Sequence, residues 1–356
     1  MRNWVIGAVI ALAALAGVGF HFRGPIALTI LERAAPRLFA ADRVADLPDG
    51  LHVALCGTGS PLPDPKRSGP CTAIIAGGRV FIVDAGDGAA RMSARMGLAP
   101  ARIAGVFLTH FHSDHIDGLG AIALQHWAGG SAAEPLQLFG PVGVERIAAG
   151  FNEAYALDSG YRTAHHGPGV VPPSGFGLSA KPFAFAAGAR TATVYDQDGL
   201  RVTAFEVNHA PAAPAVGYRF DYKGRSVVIS GDCAPSPVLE ATAKGADLLV
   251  HEALAPNLVA ILENGARAAK RENLAHIFND IPGYHTSPKD AADLATRAGA
   301  KALVFTHIVP ALPTRALEPE FLKGAKFAGD MWIGADGDLV TLPADGGPMS
   351  RSSLLR

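Results

Sequence analysis

The sequence predicts an α/β protein built as an αββα four-layer sandwich, two mixed sheets face to face with helices outside, behind an N-terminal apolar segment. Three observations predict it. Short apolar, strand-like runs alternate with helical stretches through residues 50–345. Histidines and aspartates stand where those runs end, at His110, His112, Asp114, His115, His209, Asp232 and His307, so one edge of the sheets gathers the chemistry. Of the 356 residues 49% are hydrophobic, enough for a large core, and Gly 41 with Pro 26 suits a loop-rich α/β chain better than a helical bundle.

Residues 1–23 read as a transmembrane anchor or a signal peptide: an apolar run reaches Phe20 and is followed by His21, Phe22 and Arg23. Ala14-Leu15-Ala16 offers a cleavage site, but the run continues beyond it, so anchoring and cleavage both stay open. Either reading means export, with the main domain on the periplasmic or extracytoplasmic side. Residues 24–49, with Leu28, Ile30 and Leu31 between charges, read as a juxtamembrane linker. The formal net charge of -1 provides no global field for nucleic acid. Cys56, Cys71 and Cys233 have no CxxC spacing, so a thiolate zinc site is not expected, and whether Cys56 and Cys71 pair stays open.

The main domain starts with a strand at 51–55 that ends in Cys56-Gly57-Thr58-Gly59-Ser60-Pro61. Strands at 71–76 and 79–83 flank Gly77-Gly78, a two-residue hairpin signal, and lead to Asp84-Ala85-Gly86-Asp87-Gly88. The buried strand at 103–108 delivers Thr109-His110-Phe111-His112-Ser113-Asp114-His115. His110 and His112, two apart in extended chain, place both imidazoles on one side for one cation, while Asp114 and His115 at the turn into a helix reach a second. Helices are expected at 119–127 and 142–155, with a strand at 136–139 between them. The stretch to Phe185 reads as irregular, His165-His166 as a surface loop near the mouth, with Tyr161 and Arg162 beside it.

Further on, strands at 200–208, 216–220, 225–230, 246–250 and 302–305 lead to His209, to Gly217-Tyr218-Arg219, to Gly231-Asp232-Cys233, to His251-Glu252-Ala253-Leu254 and to Thr306-His307. Ser287 and Pro288 open a helix that stops at Gly299. The small, polar residues 346–356 read as a flexible tail.

The His-x-His-x-Asp-His cluster resembles the signature of the metallo-β-lactamase superfamily. The Gly-Thr-Gly-Ser-Pro opening, the Gly-Tyr-Arg strand and the His-Glu-Ala element are similar to its ribonuclease Z and arylsulfatase branch, with Leu254 where that branch has threonine. The resemblance implies a metallo-β-lactamase fold with His110, His112 and His209 on a first metal, Asp114, His115 and His307 on a second, and Asp232 bridging. It makes Asp84 an orienting residue rather than a ligand. It gives Glu252 and His285 the role of a carboxylate and the proton donor it orients, with Asp114 counted beside them in catalysis. Two zinc ions are the expected cofactors, iron or manganese the alternatives.

The function expected from this is a dinuclear hydrolase cleaving a phosphodiester or sulfate ester by attack of metal-activated hydroxide. Lactone, thioester or β-lactam hydrolysis, or a noncatalytic membrane-tethered metal-binding module, are the alternatives. Transfer-RNA processing relatives carry an arm where this chain has only Asp221-Tyr222-Lys223-Gly224, so the expected partners are a small-molecule ester and a membrane, without nucleic acid; a homodimer is an open possibility.

Overall fold

The computed structural model describes residues 20–39 and 42–355. Residues 1–19, on which the anchor-or-signal expectation rests, lie outside them. Among the described residues no helix is long and apolar enough to cross a membrane. The chain divides into two compact units, 1–42 and 43–356. The first contributes a helix, Arg23–Phe39, with Ile26, Leu28, Ile30 and Leu31 exposed.

The second unit holds fifteen strands among the described residues: β1 (Gly50–Gly57), β2 (Cys71–Ala76), β3 (Arg79–Val83), β4 (Ile103–Phe107), β5 (Leu136–Pro141), β6 (Leu178–Phe183), β7 (Thr191–Gln197), β8 (Leu200–Glu206), β9 (Val216–Tyr222), β10 (Arg225–Ile229), β11 (Leu248–Leu254), β12 (Ala302–Val309), β13 (Asp330–Ile333), β14 (Asp338–Pro343) and β15 (Ser350–Ser353). They form two sheets, in the orders β15-β14-β1-β2-β3-β4-β5-β6 and β13-β12-β11-β10-β9-β8-β7. Both are mixed. In the first, pairing turns from antiparallel to parallel at β3–β4; in the second, at β10–β11.

The period-two alternation of β1 shows why the sheets face each other. Val53 and Leu55 join Phe81, Phe107, Tyr218 and Phe220 in a layer between the sheets. Ala54 and Cys56 point the other way, into a layer with Ile82, Val106, Leu119 and Ile122. The outer face of the second sheet packs Leu249, Leu303 and Phe305 against Leu294 and Ala295 of the helix Pro288–Ala298. Three apolar layers make the four-layer sandwich, as expected.

Several local readings are corrected. The irregular stretch contains a helix, Ala156–His166, whose last turn carries His165 and His166. None of its residues is buried, so it has no apolar stripe to announce it. The tail also departs from expectation, because β15 pairs antiparallel with β14. Its side chains are exposed; an edge strand of this kind is held by backbone hydrogen bonds, which polar composition does not reveal. Cys56 and Cys71 form a disulfide at the base of the 57–70 loop, while Cys233 is buried and free.

Candidate metal centre

The carboxyl ends of β4, β10, β11 and β12, together with His209 beyond β8 and the His285 loop, meet at one edge. Ligand atoms of His110, His112, His209 and Asp232 lie within 4.8 Å of one another, as do those of Asp114, His115 and His307. Asp232 also meets His285 and His307 within that distance. All seven expected ligands are brought together, and His285 and Glu252 stand beside them.

Hydrogen bonds fix which nitrogen of each ring is free. The hydroxyl of Thr109 donates to Asp84 Oδ2, 2.8 Å, so it accepts from His110 Nδ1 at 3.0 Å. His115 Nδ1 donates to Asp84 Oδ2, 2.8 Å, and His209 Nδ1 to the carbonyl of Tyr284, 3.0 Å. These three rings therefore carry their proton on Nδ1 and turn the Nε2 lone pair inward. His112 presents Nδ1 instead, 2.9 Å from His110 Nε2 and 3.3 Å from His209 Nε2. Nitrogens facing one another across so little space, with the His110 and His209 lone pairs turned inward, suit a shared cation.

The second set repeats the pattern around carboxylates. Asp232 Oδ2 stands 3.3 Å from His115 Nε2 and 3.2 Å from His307 Nε2, and Asp114 Oδ2 is 3.5 Å and 3.3 Å from the same two atoms. His115 Nε2 is buried without a hydrogen-bond partner. Burial opposes charge on His115, but Asp232 and Asp84 outweigh it and raise its pKa well above the ordinary histidine value. Burial likewise works against the charged Asp232, yet His307 and His115 hold its carboxyl well below the usual range. His110, more remote from the carboxylates, is pulled well down, mainly by burial. A pocket whose field favours positive charge and whose nitrogens converge fits a dinuclear metal site.

The supporting groups are as specific. Asp84 adopts φ 57 and accepts from the Thr109 amide, 2.8 Å, as well as from the Thr109 hydroxyl and His115. Tyr218, fully buried, donates its hydroxyl to the Leu108 carbonyl at 2.6 Å and so holds the chain just before His110. Glu252 Oε1 accepts from the Thr286 amide, 2.8 Å, and the Cys233 amide, 3.3 Å. His285 Nδ1 stands 3.2 Å from that oxygen, at ion-pair distance though off the line of a hydrogen bond. Burial opposes its charged form, but Glu252 raises the pKa of His285 to about 9.

Sequence reasoning missed Asp336. It accepts from the Thr58 amide (2.9 Å), the Thr58 hydroxyl (2.8 Å) and the Ser68 amide (2.6 Å), pinning both ends of the 57–70 loop. Thr58 in turn accepts from the amide of Ile308, next to His307. No local signal marks Asp336, which lies 278 residues from Thr58.

The model of the Beta-lactamase superfamily domain matches residues 79–308, more than half of the chain. The chain is 37% identical over 289 residues to the ribonuclease Z of Mycobacterium avium, covering 80% of this chain and 96% of that protein. With the ribonuclease Z of Mycobacterium tuberculosis it shares 34% over 289 residues, at the same coverage. Human tRNase Z, short form, superposes with TM-score 0.56 at 22% identity, over 82% of this chain and 99% of that one, a likeness of fold. These relatives overturn the expectation that nucleic acid plays no part. The short turn between β9 and β10 is present, as Lys223 and Gly224 with φ 46 and 78. However, neither that turn nor a whole-chain charge of -1 decides what a local cleft binds. A membrane partner finds no support among the described residues. The chain belongs to the metallo-β-lactamase superfamily, as a metal-dependent hydrolase homologous to ribonuclease Z.

Proposed function

We propose that this protein is a dinuclear-metal phosphodiesterase that cleaves phosphodiester bonds of nucleic acid. The observation that carries the reading is the pair of convergent ligand sets sharing Asp232, with the His285–Glu252 pair at their side. His110, His112 and His209 would hold one ion, and Asp114, His115 and His307 a second; zinc suits nitrogen and oxygen donors, as iron or manganese also would. Such a pair supplies Lewis-acid stabilisation and activates water at neutral pH. The names of the relatives favour a phosphodiester over a sulfate ester.

The chain's own residues do the rest. Asp84 keeps the proton of His115 on Nδ1, and the Tyr284 carbonyl does the same for His209. Glu252, itself fixed by the amides of Cys233 and Thr286, orients His285 through Nδ1, so that Nε2 carries the proton given to the leaving oxygen. The Cys56–Cys71 disulfide supports an oxidising compartment and thus export.

The test is a substrate panel on zinc-loaded protein: a short RNA, a nitrophenyl phosphodiester, a nitrophenyl sulfate, a lactone and a β-lactam. Turnover of the two phosphodiesters above the others is expected. Turnover confined to the sulfate, lactone or β-lactam would overturn the reading.

A further inference from the structure

Next to the proton-donating histidine stands an aromatic ring that none of the roles above uses. Tyr284 follows the turn Ile281–Gly283 and lends its carbonyl to His209, but its side chain is only half-buried. Its ring centroid lies 5.1 Å from that of His285 and 5.3 Å from that of His209. Gly283 beside it faces open space.

The other tyrosines near the sheets show what a structural role looks like. Tyr218 and Tyr222 are buried and spend their hydroxyls on the Leu108 carbonyl and on Asp49. Among the described residues the Tyr284 hydroxyl makes no hydrogen bond. A large, stiff aromatic held at the mouth, beside the group that faces the leaving oxygen, has the form of a stacking surface.

We propose that Tyr284 is a specificity-determining residue, the platform on which a planar ring on the leaving side of the substrate stacks, whether nucleobase or aryl group. The inference rests on the phosphodiesterase reading and narrows it. With His285 at the leaving oxygen, the first ring beyond that oxygen comes within reach of Tyr284, whereas a methyl group does not. Stacking of a base on an aromatic side chain contributes about 1–3 kcal/mol, which corresponds to roughly a 5- to 150-fold change in binding.

The experiment compares wild type, Tyr284→Ala and Tyr284→Phe on two diesters that share one nucleoside and differ on the leaving side, a second nucleoside against methyl. Ratios of variant to wild type are taken within each substrate, so leaving-group acidity cancels. Tyr284→Ala is expected to raise KM at least about fivefold for the dinucleoside diester and less than about twofold for the methyl diester, with zinc content unchanged. Tyr284→Phe keeps both within about twofold. A nitrophenyl diester in place of the dinucleoside separates any planar ring from a nucleobase. Equal losses on the planar and methyl substrates, or a Phe variant as weak as Ala, would overturn the proposal. If wild type hydrolyses neither diester, the phosphodiesterase reading fails on its own; calorimetric binding of the same pair then decides, and equal affinities for planar and methyl forms, or no binding of either, overturn the platform.

Discussion

The two edges of the sandwich carry similar kinds of residue to opposite ends. Around the turn between β9 and β10, Arg201 pairs with Asp196 at 2.9 Å and Arg219 with Asp221 at 3.0 Å, while Asp247 takes Lys301 at 2.7 Å and Arg225 at 3.5 Å. These charges neutralise one another, most of them at the surface and the buried Asp247 through partners on both sides. At the metal edge most of the charged and polar groups are buried, His112 being the exposed exception, and His115 Nε2, His307 Nδ1 and Glu252 Oε2 lack hydrogen-bond partners. A buried donor or acceptor left without a partner costs about 1–3 kcal/mol, so a fold that keeps several together keeps them for a purpose. Charge density alone does not mark a site; buried groups that need something else to complete them do.

The comparison is broken most sharply at Asp232. Asp232 belongs to the first ligand group and its Oδ2 lies 3.3 Å and 3.2 Å from His115 and His307 of the second, so Asp232→Ala is expected to lose most bound metal and to slow turnover on the order of 10³-fold or more. Metal analysis of the folded variant checks it; two retained ions would remove Asp232 from the centre. Next comes His285→Ala, expected to leave metal content intact and to slow an alkoxide leaving group by roughly 10²- to 10⁴-fold, and a nitrophenolate far less. Equal slowing of both, or a lost ion, would make His285 a binding or structural residue. Asp84→Asn follows, because Asp84 reaches the centre through the outer nitrogen of His115 and not as a ligand: metal affinity should fall about 10- to 100-fold by competition with a chelating dye. Unchanged affinity would reduce Asp84 to a loop residue.

How much was legible depends on whether the signal is local. His110, His112, Asp114 and His115 crowd into one short stretch after β4, His209 and Asp232 each follow a strand and His307 lies near the end of β12, so the ligand set stood out in the sequence. Strands β6 and β7 were not read because each borders its sheet and exposes much of its length, leaving no clean alternation. The helix Ala156–His166 failed for a similar reason, since without a buried face it looks like a loop. Asp336 was invisible because its partners are remote in sequence, and the proposed nucleic-acid substrate was set aside because whole-chain charge averages over the surface. What separates the two edges in the structure is whether the charged groups find partners: those around the β9–β10 turn do, and several at the metal edge do not.

The smallest expected effect therefore lies at the opposite edge, and it tests the comparison from the other side. Arg201 and Asp196 face each other across β8 and β7, with Arg201 Nε 3.0 Å and Nη2 2.9 Å from one carboxylate oxygen. The geometry is as good as any at the metal edge. Yet the two side chains are 60% and 51% exposed, so water screens the attraction, and ordering two long chains offsets much of what remains. Arg201→Ala is expected to change unfolding free energy by less than about 0.5 kcal/mol in urea and to leave metal content and turnover unaltered. The small loss should shrink further in 1 M salt, where the screening length falls to about 3 Å. A loss above about 1.5 kcal/mol, or one that persists in salt, would mean that this edge holds the sandwich together through a pair that burial says is weak, and the distinction between the two edges would fail.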